Sequence, residues 1–414
     1  EQEKIMKKKK VEFELLNRYI NVCPVNKNYE KLNGRIEELK HPLHMACSIP
    51  SDDSMIMDIL DHETDVNRKD KNGRTLMHLA CRYAIHEKTI ELLQTRHANC
   101  HAVDSNLRTP LFDACMRQNN LNIINCLLKQ PLEVNVKDKK LKTPLHVACK
   151  VMNNEETVSL LISLEANVNA KDSYKRTPLH DACLVDNEHV IKLLVQAGSS
   201  VYHRNEFKQT ALHVACKYTT NENMIKFLVP LLANVNLKDG SMQTPLHYAC
   251  KKNNNENIIN LLLNNNANVN VRNRINQTPL HLACNWIDNE KVIEKLLAKN
   301  GELYVNDRYN NTPLEVACRY TTNAKIIEVL LNHQDHRGIH YNMIKPFDCA
   351  QLNVYCRDEI IYVLLRRLGG HGEYLKAVCL NYLYLQRYLS YYPNLIHYST
   401  HTNTSILHMA LAKE

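Results

Sequence analysis

Apolar and polar positions along this chain follow a repeating order. A short block of Leu, Ala and Cys comes first, as in Leu145, Ala148 and Cys149. A polar stretch follows, such as Thr219-Thr220-Asn221. A second block then carries apolar residues three and four apart, as in Ile191-Leu193-Leu194 and Ile258-Ile259-Leu261-Leu262, the spacing of one helix face. The period closes with Ala-Asn-Val-Asn, at Ala166 to Asn169, Ala233 to Asn236 and Ala267 to Asn270, before a turn led by Asp or Asn. Each period therefore predicts a helix, a second helix and an extended hairpin.

The first block opens with Thr-Pro-Leu-His-x-Ala-Cys, at Thr143 to Cys149, Thr177 to Cys183, Thr244 to Cys250 and Thr278 to Cys284. Close variants carry His44, His78, Phe112, His213 and Glu315 at the histidine position, and the whole series advances by 33 or 34 residues. Lys345-Pro346-Phe347-Asp348 continues it, and Lys376-Ala377-Val378-Cys379 and Ile406-Leu407-His408-Met409-Ala410 are eroded copies. Thr is a helix N-cap whose hydroxyl accepts an orphan backbone N–H. Pro fits the first helical position, where no donor is lost. One such unit cannot bury its own apolar face, so neighbours must stack.

These residues resemble the ankyrin-repeat family, whose signature is Thr-Pro-Leu-His on a period of about 33. The resemblance covers residues 40 to 414 and implies an all-α solenoid of ten to twelve helix pairs joined by hairpin-like loops. It implies a structural role for the repeated His, bonding the Thr and neighbouring backbone. Three departures stand out. Cys replaces the usual second Ala. An extra residue separates some helix pairs, so that His213 to Phe227 is 14 steps where His180 to Leu193 is 13. The tip glycine survives only at Gly73, with Leu107, Leu141, Lys175, Lys208, Met242, Asn276 and Asn310 elsewhere. Leu, Lys and Met tolerate positive φ poorly, which predicts a different turn at those tips.

Three segments follow. Residues 1–40 read as a basic tail, Lys7-Lys8-Lys9-Lys10, with a capping helix or decayed repeat around Val11 to Ile20. Residues 41–340 are regular repeats. Residues 341–414 are divergent repeats holding 10 of the 20 tyrosines. The last copy supplies a first helix with no second, which predicts truncation from something longer.

Composition excludes several classes. Nine glycines among 414 residues are too few for a glycine-loop nucleotide enzyme, average usage being about 7%. No run of about 18 apolar residues offers a membrane span. The net charge of +8 permits nucleic acid as a partner, but no groove-reading motif accompanies it, and nucleic-acid binding is the lesser reading. The regular cysteines (47, 81, 115, 149, 183, 216, 250, 284, 318) cannot bridge, because packed helices lie about 8–10 Å apart and a disulfide needs Cα atoms within about 7 Å. Buried thiols imply a reducing compartment, cytoplasm or nucleus. No metal or other cofactor is expected. His333, His336 and His340 with Asp335 form the one odd cluster, read as a solvated loop. Gly369-Gly370-His371-Gly372 lacks the strand and lysine of a phosphate loop. No catalytic constellation appears, so no enzyme is expected.

What remains is an interaction scaffold or adaptor. A protein partner, acidic or an extended peptide, would meet the concave face built from the fingers and the first-helix ends. Those ends carry cations and aromatics, together in Arg82-Tyr83, Lys217-Tyr218 and Arg319-Tyr320 and singly in Lys251-Lys252 and Asn285-Trp286. The finger tips carry Leu107, Leu141, Tyr174, Phe207, Met242, Ile275 and Tyr309, apolar residues with no turn-forming reason to be there, which predicts an exposed docking stripe. The same features suit the cytosolic ankyrin domain of a larger channel or multidomain protein, and a viral or bacterial adaptor acting on host machinery.

Overall fold

Each period begins where a Thr in extended backbone passes at once into a helix. Thr143, Thr177, Thr244 and Thr278 all take this geometry, with Pro next. The cap is reciprocal. The Thr hydroxyl accepts the backbone N–H of the His three residues on, and that His Nδ1 accepts the Thr backbone N–H, at 3.1 Å for Thr143 and His146. The ring is thereby held with its proton on Nε2, which donates to a carbonyl of the next period. His78 reaches Arg108 O at 2.9 Å, His146 reaches Arg176 O at 3.0 Å and His281 reaches Asn311 O at 3.1 Å. One side chain thus caps its own helix and ties two periods together.

In the computed structural model of the protein, residues 65–83, 87–118, 120–219, 221–252, 255–335, 344–355, 359–361 and 363–364 are described. The chain divides between Glu206 and Phe207 into two units. The first pairs α1 (Leu76–Tyr83) with α2 (Lys88–Thr95), α3 (Pro110–Cys115) with α4 (Leu121–Leu127), α5 (Pro144–Ala148) with α6 (Glu155–Ser163), and α7 (Pro178–Leu184) with α8 (Glu188–Gln196). The second pairs α9 (Ala211–Tyr218) with α10 (Glu222–Leu228), α11 (Pro245–Ala249) with α12 (Glu256–Asn264), α13 (Pro279–Trp286) with α14 (Glu290–Ala298), and α15 (Pro313–Tyr320) with α16 (Lys325–Asp335). It adds α17 (Ile344–Gln351). Within each unit first helices pack on first helices and second on second. No strand occurs among the described residues.

The core is the small-residue face of the first helices against the apolar face of the second. Cys81, Cys115, Cys149 and Cys183 in the first unit, and Cys216, Cys250, Cys284 and Cys318 in the second, are fully buried. The eleven described cysteines are all buried thiols. Burial pushes those of Cys81, Cys149 and Cys318 far above their ordinary range. They act as compact apolar side chains between closely packed helices.

First helices differ in length, but not with the extra residue, since Phe112 to Cys126, His146 to Leu160 and His247 to Leu261 are also 14 steps. Helices α1, α9, α13 and α15 each run eight residues and end on Tyr83, Tyr218, Trp286 and Tyr320. Helices α3, α5, α7 and α11 stop at five to seven residues. The longer first helices present an aromatic at their ends.

The tips correct the expectation drawn from their side chains. Leu107, Leu141, Lys175, Lys208 and Met242 all take positive φ, between 56° and 61°, as Gly73 does at 74°. Two constraints override the side-chain preference. The leading Asp clamps the turn: Asp138 Oδ1 accepts the backbone N–H of Lys140 and of Lys142, and the Asp138 carbonyl accepts that of Leu141. Neighbouring fingers also bond to one another, as in Ser105 N–H to Asn72 O and Lys139 N–H to Asn106 O at 2.8 Å, and Gly240 N–H to Phe207 O at 2.7 Å. A left-handed residue costs about 1–2 kcal/mol, and clamp and ladder together hold it there.

Candidate functional site

A finger tip is placed by its clamp, so whatever side chain stands there is held outward. Leu107, Leu141 and Tyr174 are exposed on the first unit, and Phe207, Met242 and Tyr309 on the second, at 42–69% of their free area. Ile275 differs from the rest: it is half-buried, and so drops out of the exposed stripe. Several cations of the fingers also turn inward. Arg74 pairs with Asp70 at 2.8 Å, Arg176 with Asp172 at 3.0 Å, and Lys142 is buried between Asp172 and Asp181 at 3.9 and 3.4 Å.

The first-helix ends carry the expected aromatic–cation pairs. Arg82 lies 5.7 Å from the Tyr83 ring centre, Lys217 5.0 Å from that of Tyr218, and Arg319 5.3 Å from that of Tyr320, within cation–π range. Tyr218, Trp286 and Tyr320 are exposed, whereas Arg82 and Tyr83 are half-buried.

Electrostatics separate the two units. In the first, buried carboxylates sit among the cations. Asp113 meets Arg82 at 3.3 Å, and burial still raises its carboxyl to about 6. Asp181 meets Lys142 and Lys150 at 3.4 Å and Arg176 at 3.9 Å. Burial lowers the Lys142 ammonium to about 8 against the pull of Asp181, with Lys150 and Arg176 adding to the drop.

In the second unit the residue following the repeated His is Val214, Tyr248, Leu282 or Val316, and no carboxylate enters there. Tyr248 replaces it with a hydroxyl. That hydroxyl donates to Asp239 Oδ2 at 2.7 Å and accepts from Gln209 Nε2 at 2.8 Å. Burial and Asp239 push the Tyr248 phenol well above its ordinary range. Lys251 and Lys217 lie 5.6 and 5.9 Å from the centre of the same ring. Burial lowers the Lys251 ammonium, Asp239 opposes that, and Lys217 adds to it.

Two substitutions of the repeated His show what it does. Phe112 supplies no ring nitrogen, and the buried Thr109 hydroxyl before it has no hydrogen-bond partner. Glu315 keeps the cap, accepting the Thr312 N–H at 2.5 Å, and meets Lys345 of the next period at 3.4 Å. Lys345 also donates to Asn310 O, so an ion pair replaces the His-to-carbonyl tie.

Sequence reasoning missed Tyr248, Asp239 and Gln209 as one cluster, and Asp113 and Asp181 as counter-charges. The available signal was the residue after the repeated His, which is Asp at two first-unit positions and Tyr at one second-unit position. Among the described residues no group of three or more His, Cys, Asp or Glu is gathered as a metal site. His336 and His340, like residues 1–64 and the copies at 376–379 and 406–410, lie outside the described residues. No helix is long and apolar enough to cross a membrane among the residues described.

A family model described as ankyrin repeats, in three copies, matches residues 43–138, 111–205, 186–273 and 252–344. No curated protein matches the chain.

Proposed function

The chain belongs to the ankyrin-repeat family, and from that premise we propose that it is a non-enzymatic scaffold or adaptor that binds a partner protein through its finger tips and first-helix ends. The observation that carries the proposal is the conformation of Leu107, Leu141 and Met242. Each holds an apolar side chain in water while its backbone sits at φ between 56° and 61°. The fold gains nothing from either, since glycine would relieve the strain. Residues kept at such a double cost are accounted for by a partner that covers them. Exposed Tyr218, Trp286 and Tyr320 are of the types that dominate interface energies. The buried thiols support a reducing, intracellular setting.

Site-specific photo-crosslinking tests the reading. A photoreactive amino acid at Phe207 or Met242 is expected to trap a discrete partner in a lysate of the source cells. The same group at exposed Lys226, on second helix α10, is expected to trap none of it. Equal trapping at both positions, or none at either, contradicts the proposal.

A further inference from the structure

Two cations of the second unit share one aromatic ring. Lys217 and Lys251 stand within 6 Å of one ring centre, that of Tyr248. Neither makes an ion pair among the described residues. The nearby carboxylate is Asp239, and it is committed elsewhere. It is buried, and it accepts the Tyr248 hydroxyl and the backbone N–H groups of Ser241 and Gln243. Lys251 donates to the side-chain oxygen of Gln243 at 2.9 Å, a neutral group. Two ammonium groups are thus held close by a ring and an amide.

The surroundings fit a peptide. Gln209 and Gln243 stand at the bases of the fingers whose tips are Phe207 and Met242. Those tips are exposed, and the Gly240 N–H to Phe207 O bond ties their two fingers together. An extended chain lying along the fingers would meet apolar groups at the tips and two cations at the bases. Tyr218, at the end of α9, borders the cations with a further exposed ring.

We infer that the Lys217–Tyr248–Lys251 cluster is an anchor for an acidic segment of a protein, with carboxylate side chains meeting the two lysines and an apolar neighbour meeting Phe207 and Met242. The inference rests on the interaction-module reading and narrows it to one site and one partner chemistry. The Tyr248 ring, fixed by Asp239 and Gln209, holds both ammonium groups near one point, with Lys217 exposed and Lys251 half-buried. Complementary charge steers encounter and fixes register, and removing it weakens binding in proportion to the charges lost.

The test uses the full chain and a fluorescein-labelled decapeptide of alternating Glu and Leu. Its Gln–Leu counterpart and a ten-nucleotide thymidine strand serve as the other probes. The acidic peptide is expected to bind, and the Gln–Leu peptide to bind at least tenfold more weakly. Lys217→Gln with Lys251→Gln should cost the acidic peptide tenfold or more in affinity. Lys217→Arg with Lys251→Arg should restore most of it, which shows that the loss is one of charge and not of folding. Lys139→Gln with Lys140→Gln, two exposed cations of the first unit, should leave affinity within twofold. Loss of equal size in that first-unit variant overturns the inference, as does thymidine-strand binding that depends equally on Lys217 and Lys251. Absence of acidic-peptide binding overturns it too. In that last case crosslinking at Phe207 and Met242 still decides the broader reading by itself.

Discussion

The two units share a period but settle charge differently. Before each repeated Thr the first unit places Arg74, Arg108, Lys142 and Arg176, and the second places Gln209, Gln243, Gln277 and Asn311. The first set pairs with buried carboxylates: Arg74 with Asp70, Arg108 with Asp138, and Arg176 with Asp172, at 2.8 to 3.2 Å. Lys142 joins the Asp172–Asp181 group. The second set is uncharged and gives the carboxylate a hydrogen bond in place of an ion pair, as Gln277 Nε2 does to Asp307 Oδ2 at 3.3 Å. Lys217, Lys251 and Arg319 stand near aromatic rings at or just past the first-helix ends. Three of the four eight-residue first helices with aromatic ends, α9, α13 and α15, belong to the second unit. One scaffold thus uses similar residue types in two ways. In the first unit the cation before each Thr is held by buried carboxylates, and in the second Lys217 and Lys251 share an aromatic ring without an ion pair.

The largest expected effect separates the units by stability. Asp181→Asn removes the carboxylate shared by Lys142, Lys150 and Arg176. Lys142 and Arg176 keep Asp172, so the loss is of one carboxylate from a buried network and should cost about 1.5–3 kcal/mol in urea unfolding. Lys217→Gln with Lys251→Gln should change stability by about 1 kcal/mol or less, since Lys217 is exposed and half-buried Lys251 gives up one hydrogen bond. Equal losses from the two variants would erase the distinction.

A pH titration sharpens it. Burial holds the Asp113 carboxyl at about 6 in the folded state, above its ordinary 3.8, with Arg82 opposing. The folded state therefore binds that proton more tightly than the unfolded chain. The contribution is fully present below about pH 4 and is lost as pH rises through 6. Asp113→Asn should flatten that part of the stability profile. An unchanged slope would mean that the site is better solvated than its burial implies.

The smallest effect probes a feature common to both units. Leu141→Gly and Met242→Gly each relieve a strained φ, at the expense of a more flexible unfolded chain. Each should stabilise by up to about 1 kcal/mol. Destabilisation in either unit would show that the tip side chain packs on its neighbours and is part of the fold.

Much of this architecture is readable from sequence because Thr-Pro-Leu-His states its own geometry. The Thr143–His146 cap spans three residues, and the clamp of Asp138 on Lys142 spans four. Local spacing carries both. The tips were misjudged because Leu and Met oppose positive φ as isolated residues, while the force that sets them is a ladder between fingers 33 or 34 residues apart. The charge partition was hidden for a similar reason. Arg82 to Asp113, Lys142 to Asp181 and Gln209 to Tyr248 are contacts over 31 to 39 residues. Spacing alone did not distinguish Lys142, which is buried in an ion network, from Lys251, which stands over an aromatic ring. The aromatic–cation pairs at the helix ends were legible because their partners are adjacent in sequence.

Amide hydrogen exchange of the full chain, with and without saturating Glu–Leu decapeptide, tests the central claim most directly. Exchange is expected to slow at the finger around Phe207 to Gln209, at the finger around Gly240 to Gln243 and at the end of α9, with first helices α3, α5 and α7 unchanged. Slowing that is equal in the two units, or confined to the Asp113 and Asp181 region, would contradict it.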